Sequence, residues 1–255
     1  GACADLISGV YYHASQNHHE QDLCWLRRRV VRDEAGIGRR PDEGKQGGTY
    51  GNTMIYYIAD MHFGHENVIR FDDRPFADTE QMDEVLIQNW NERVTADDTV
   101  YVLGDAFWKN EENSIRIMQR LQGHKHLIQG NHDRVKGKLR PYWESIEQHA
   151  EINDENRLVI LSHYPILFYK NQHYGAVMLY GHVHNTREWS LVEKWKNEQW
   201  TMGIPSRLIN VGCMMAYMNY TPRTLDELLE ANPQPMIERT RKDGTNAGEN
   251  SNGEL

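Results

Sequence analysis

The sequence predicts an α/β fold built on two packed β-sheets, and three features of the chain carry that prediction. Apolar runs of strand character alternate with helical periods from Met54 to Gln129. After Pro141 the strand-like runs follow one another with little helix between them, which favours two packed sheets over one doubly wound sheet. Five short blocks rich in Asp and His sit where these runs end and a strand would hand its side chains to a loop.

Taken in order, Met54-Ile55-Tyr56-Tyr57-Ile58-Ala59 is an apolar run that reads as a buried first strand. Asp78 and Gln81 form a capping-box arrangement, followed at helical spacing by Met82, Val85, Leu86, Trp90 and Val94. Residues 99–103 make a short strand. A helix over 111–121 carries Ile115, Met118 and Leu121 on one side, and 126–129 is a third strand. Residues 158–161, 176–180 and 207–211 are the later strands. Pro222 precedes a last helix over 224–230, with Leu225, Leu228 and Leu229 apolar.

Residues 54–238 are therefore expected to form one domain. Residues 1–53 lack a sustained period beyond a turn or two of helix near 23–31, and are read as a poorly ordered extension with Met54 as a candidate natural start. Residues 239–255, rich in Gly, Asn and charge, are read as a disordered tail.

With 255 residues, 39% of them hydrophobic, the chain can bury a substantial core. No apolar run approaches the length that spans a bilayer, and the N-terminus lacks the pattern of a secretory signal. Three widely spaced cysteines, Cys3, Cys24 and Cys213, suit a reducing compartment, so a cytoplasmic location is expected. The net charge is −9, and residues 1–53 carry seven basic against seven acidic groups, so the excess acid lies beyond them. An acidic body repels a nucleic-acid backbone at long range, and a broad phosphate footprint is not expected. A small phosphorylated substrate remains compatible, because two bound divalent cations would reverse the local field.

The five blocks are Asp60-Met61-His62, Gly104-Asp105, Gly130-Asn131-His132-Asp133, Ser162-His163 and Gly181-His182-Val183-His184. They offer oxygen and imidazole donors without cysteine, the inventory of a two-metal hydrolytic site. Asp60 and His62, like His182 and His184, alternate across one residue and are expected on one face of an extended strand end. Asp105 can bridge two ions through its two oxygens, and Asn131 offers a neutral carbonyl oxygen.

These blocks resemble the signature of the calcineurin-like metallophosphoesterases, D-x-H, G-D, G-N-H-D/E, H and G-H-x-H, over residues 54 to about 215. The resemblance implies two mixed β-sheets packed as a sandwich flanked by helices, with a dinuclear metal site at the sheet edge. It implies a first metal on Asp60, His62, Asp105 and His184, and a second on Asp105, Asn131, His163 and His182. It leaves His132 facing the substrate as general acid, while a hydroxide bridging ions about 3.5–4 Å apart attacks phosphorus in line. Two divalent ions are expected, Mn²⁺ foremost, with Fe, Zn, Ni or Co as alternatives because a mixed N/O site discriminates weakly.

Other residues keep two readings. Asp133 either orients His132 or caps its loop. His65 lines the pocket or caps the next helix, and Arg187 binds a substrate phosphate or is a solvated surface group. Phe107 and Trp108 are the candidates for shaping substrate access, whereas Trp189, Trp195 and Trp200 read as packing over the core. The expected activity is a metal-dependent phosphoesterase acting on a small phosphodiester or phosphomonoester, nucleotides among them. The alternatives are a nuclease, or a non-catalytic protein-binding scaffold of the kind that has lost ligands or the catalytic His; here every block is intact.

Overall fold

The computed structural model describes residues 53–108 and 110–234. The expectations for the extension before Met54 and for the tail from 239 lie outside the described residues, Thr53 apart.

Strands β1 (Ile55–Ile58), β2 (Thr99–Val102), β3 (His124–Ile128) and β4 (Ser145–Glu147) run parallel in the first sheet. Strands β5 (His149–Asp154), β6 (Arg157–Ser162), β7 (Val177–Tyr180) and β8 (Leu208–Asn210) form the second, in which only β5 is antiparallel to its neighbour. Strand β9 (Arg223–Thr224) returns to the first sheet, antiparallel to β1. The sheet orders are β4-β3-β2-β1-β9 and β5-β6-β7-β8, so both sheets are mixed.

Alternation along β1 sorts its residues between layers. The Tyr56 hydroxyl donates to the carbonyl of Arg93, the last residue of helix α2 (Thr79–Arg93). Tyr57 points the other way, and its hydroxyl donates to Asp154 Oδ2 of β5 at 2.8 Å. The second sheet divides likewise. Val159, Leu161, Val177, Leu179 and Ile209 join the core shared with the first sheet, while Ile160, Met178, Tyr180 and Leu208 form a separate cluster with Val183 and Val192. Burial on both faces explains why these strands read as continuous apolar runs.

The element over that outer cluster corrects an expectation. Helix α4 (Arg187–Thr201) is 15 residues long and occupies the stretch where little helix was expected. It is capped by Thr186, whose hydroxyl accepts the Glu188 N–H. Two of its three buried residues, Lys196 and Gln199, are polar, so the apolar period is interrupted on the face that packs. Lys196 meets Glu193, and Gln199 donates to the Leu167 carbonyl, which satisfies both. Trp189 packs against the core, Trp200 donates to the Ser206 carbonyl and Trp195 stays exposed.

The remaining helices are α1 (Glu66–Phe71), α3 (Glu111–Met118) and α5 (Leu225–Ala231). Asp78 caps α2 by accepting the Gln81 N–H, and Ile87 rather than Val85 joins Met82, Leu86 and Trp90 in the core. In α3, Ile117 is buried alongside Met118, while Ile115 is only half-buried. None of the described helices is long and apolar enough to cross a membrane.

Candidate metal centre

All five blocks lie just past the C-terminal ends of strands: Asp60 after β1, Asp105 after β2, Asn131 after β3, His163 after β6, and His182 and His184 after β7. The two sheets meet here. The Ala59 N–H donates to Val211 and the Ala59 carbonyl accepts from Cys213, joining the end of β1 to the loop after β8. The loop after β1 then runs beside the loop after β2, with Asp60 N–H on Gly104 O, His62 N–H on Asp105 O and Phe63 N–H on Ala106 O.

The backbone departs from the extended geometry expected of the i, i+2 pairs. Asp60, His62, Asp105, His182 and His184 all adopt left-handed conformations, with φ of 54°, 52°, 52°, 69° and 49°. Such residues cost roughly 1–3 kcal/mol each and persist where their surroundings over-determine them. His182 and His184 consequently diverge rather than share a face. Donor atoms of Asp60, His62 and His184 converge within 4.8 Å of one another, and those of Asp105, His163 and His182 do the same.

Glycines permit this crowding. Gly104 sits at φ +90°, and a Cβ there would lie 2.3 Å from His163 Nδ1. A Cβ on Gly181 would lie 2.7 Å from Asp60 Oδ2.

Hydrogen bonds fix which imidazole nitrogens face the centre. His163 Nδ1 meets the Leu103 carbonyl at 2.8 Å, and a carbonyl only accepts, so Nδ1 carries the proton. Its Nε2 then faces Asn131 Oδ1 at 3.0 Å and Asp105 Oδ2 at 3.5 Å. His184 Nδ1 meets Asp72 Oδ1 at 2.7 Å, which turns its Nε2 toward Asp60 Oδ1 at 3.8 Å and His62 Nε2 at 3.2 Å. Carboxylate oxygens and ring nitrogens that converge this closely form a site that a cation can occupy. This donor set fits divalent metals, and Asn131 completes the second group as a neutral oxygen.

The electrostatics agree. Burial pushes the Asp60 carboxyl up to about 6, although His184 and His163 beside it act to lower it. Burial holds His62 far below the usual imidazole range and lowers His182 as well. His184 is raised: burial would lower it, but the Asp72 hydrogen bond and the Asp60 charge outweigh that. The Asp60 carboxylate also accepts the His182 backbone N–H at 3.0 and 3.1 Å.

His132 lies at the edge of this centre, exposed, its ring 5.8 Å from that of His62 and 4.7 Å from that of Trp108. Asp133 is buried and accepts backbone N–H groups from Asp105, Ala106 and Gly130. Its carboxylate thus ties the third block to the second. His65 occupies the N-cap position of α1 without capping it; its ring stacks on Trp108 at 3.8 Å. Phe107 is buried and stacks on Phe63, whereas Trp108 remains 46% exposed. Arg187 is exposed at the first position of α4, and its side chain makes no hydrogen bond or ion pair among the described residues.

A cleft of about 510 Å³ opens beside His132, lined by Trp108, Asn131, His132, Arg134 and Glu111 among others.

Sequence reasoning missed Asp72, which orients His184, and Asn210, whose side chain donates to the His184 carbonyl at 2.8 Å and accepts the Gly212 N–H. Asp72 belongs to a charged run, Asp72-Asp73-Arg74, ahead of Pro75, a composition indistinguishable from a solvated turn.

A family model described as calcineurin-like phosphoesterase matches residues 53–205, well over half of the chain. An uncharacterized protein of Methanocaldococcus jannaschii is 43% identical over 88 residues, covering 34% of this chain and 50% of that protein. The Gene 66 protein of Mycobacterium phage D29 is 25% identical over 159 residues, 51% of this chain and 78% of the phage protein. Among solved structures, a protein of unknown function from Aquifex aeolicus is 27% identical with a TM-score of 0.55, covering 71% of this chain and all of that one. The chain thus matches about half the length of the archaeal relative.

Proposed function

The chain belongs to the calcineurin-like phosphoesterase family, and from that premise we propose that it is a metal-dependent hydrolase of a small phosphodiester or phosphomonoester. The observation that supports this reading best is the pair of converging donor groups, Asp60/His62/His184 and Asp105/His163/His182, with His132 exposed beside them. When bound, two divalent cations supply positive charge for the phosphate oxygens and lower the pKa of water toward neutrality.

The chain's own groups do the rest. Asp60, His62 and His184 would hold one ion, and Asn131, His163 and His182 would hold the other. Asp105 lies between the groups, its Oδ2 3.8 Å from His62 Nε2 and 3.5 Å from His163 Nε2, and serves both. His132 donates a proton to the leaving oxygen as a water oxygen bonds to phosphorus and the ester phosphorus–oxygen bond breaks. The cleft beyond His132 receives the departing alcohol, with Trp108 as its exposed aromatic wall and His65 stacked behind it. Mn²⁺ is the ion we assign first, with Fe, Zn, Ni or Co able to occupy the same mixed donors.

The test is hydrolysis of bis-p-nitrophenyl phosphate and p-nitrophenyl phosphate with Mn²⁺ or with chelator, beside Asp105→Asn. Mn²⁺-dependent turnover that disappears in the variant supports the reading, and the faster ester identifies diester or monoester chemistry. A protein that binds no metal and turns over neither ester refutes it.

A further inference from the structure

We propose that Asp72 and Arg74 form a buried bracket that positions both halves of the first metal group. The inference rests on reading Asp60, His62 and His184 as that group.

Asp72 Oδ1 accepts the His184 Nδ1–H at 2.7 Å. Asp72 Oδ2 accepts Nε and Nη2 of Arg74 at 2.9 and 2.7 Å. The same guanidinium reaches the other half of the group, donating Nη2 to the Asp60 carbonyl at 2.9 Å and Nη1 to the Met61 carbonyl at 3.0 Å. One ion pair, with both side chains no more than 1% exposed, therefore joins the imidazole delivered after β7 to the backbone delivered after β1. The Asp72 backbone carbonyl adds a fourth tie by accepting from Asn185, the residue after His184.

Stability alone is a poor reason for this arrangement, because burying an ion pair often gains nothing over well-packed apolar side chains. Its directions are informative. The two carbonyls that Arg74 holds belong to Asp60 and Met61, the first left-handed itself and the second lying between left-handed Asp60 and His62. The guanidinium thus opposes relaxation of a strained turn whose side chains are two of the three ligands. Asp72 accepts the Nδ1–H of His184 and so turns its Nε2 toward Asp60 and His62, where an ion would sit. A carboxylate on the distal nitrogen also makes the imidazole a better donor, and losing such a partner typically costs about 10–100-fold in metal affinity.

The experiment is Mn²⁺ binding to the full chain by equilibrium dialysis, with folding checked by urea denaturation. It compares wild type, Asp72→Asn, Arg74→Lys and a control, Asp154→Asn, which alters the buried carboxylate that Tyr57 meets away from the blocks. Wild type is expected to hold two ions. Asp72→Asn should weaken one about 10–100-fold and leave the other near wild type. Arg74→Lys keeps the charge but cannot span Asp72 and both carbonyls, and should weaken the same ion. The control should lose stability without losing either ion.

Two backgrounds identify the affected ion. With His163→Ala, which cripples the second group, the effect of Asp72→Asn should persist; with His62→Ala it should vanish. Wild-type binding in Asp72→Asn, or weakening of both ions in step with stability, overturns the bracket. A wild-type chain that fails to hold two ions overturns the metal-centre reading, and the bracket with it.

Discussion

The Asp105 carboxylate accepts the backbone N–H of His132 at 2.9 Å. The residue placed between the two donor groups therefore also sets the loop that presents the proposed general acid. In the proposed centre, metal occupancy and His132 placement would be linked through one side chain, which makes Asp105 the position where the smallest change should cost most.

Asp105→Asn keeps size and shape but removes the charge that serves both groups. Metal-dependent turnover should fall by at least about 10³-fold, and the Mn²⁺ concentration needed for half-activation should rise. A titration of activity against Mn²⁺ reads both, and retained turnover at ordinary Mn²⁺ would remove Asp105 from the centre.

For His132 the prediction concerns the leaving group. His132→Ala should slow an alkyl phosphoester by about 10²–10⁴-fold, while a p-nitrophenyl ester, whose leaving group needs little protonation, should lose far less. Steady-state kcat on the two esters distinguishes the cases. Equal losses would give His132 a binding role instead.

Gly104→Ala tests whether close packing builds the second donor group. The added Cβ would meet His163 Nδ1 at 2.3 Å and Gly130 Cα at 2.9 Å, at φ +90°. Left-handed strain and overpacking together should cost at least about 2 kcal/mol. Urea midpoints should show that loss and Mn²⁺ affinity should drop, since His163 must move.

Asp98 provides a pH-dependent test remote from the candidate metal centre. It is buried, and its carboxylate accepts Met54 N–H, Thr95 N–H and the Thr95 hydroxyl at 2.7–2.8 Å. Burial alone would raise its pKa, but the N–H donors of Met54 and Thr95 outweigh that and hold it below the usual carboxylate range. A depressed folded-state pKa stabilises above the unfolded value of about 3.9, and that contribution is lost as pH falls through the folded value. Asp98→Asn should thus cost about 1–3 kcal/mol at pH 7, with the gap from wild type closing below about pH 4. A gap that does not narrow as pH is lowered from 7 to about 2 would show that the carboxylate charge contributes nothing.

Much of the architecture was legible because local chemistry and tertiary environment agree. The run from Tyr56 to Ala59 is buried on both faces, so apolarity alone marks β1, and Asp78 signals the start of α2 by capping it. Helix α4 was not legible, because Lys196 and Gln199 occupy inward positions and are satisfied by partners that only the fold supplies. Strand β5 was missed for a related reason: its buried end is Asp154, whose partner is Tyr57, 97 residues away.

The sequence by itself determined the kind of donors this protein holds and the strand ends that carry them, since ligand chemistry is a property of residue type and order. Only the tertiary structure decided how those donors divide. Left-handed backbone at His182 and His184 sends these two neighbouring ligands to different groups, whereas Asp60 and His62, also left-handed, stay together in one. It also decided which imidazole nitrogen faces inward, because Leu103 O and Asp72 are brought to His163 and His184 from 60 and 112 residues away. Contacts over such separations arise from packing the two sheets and their connecting loops together, and no local pattern encodes them.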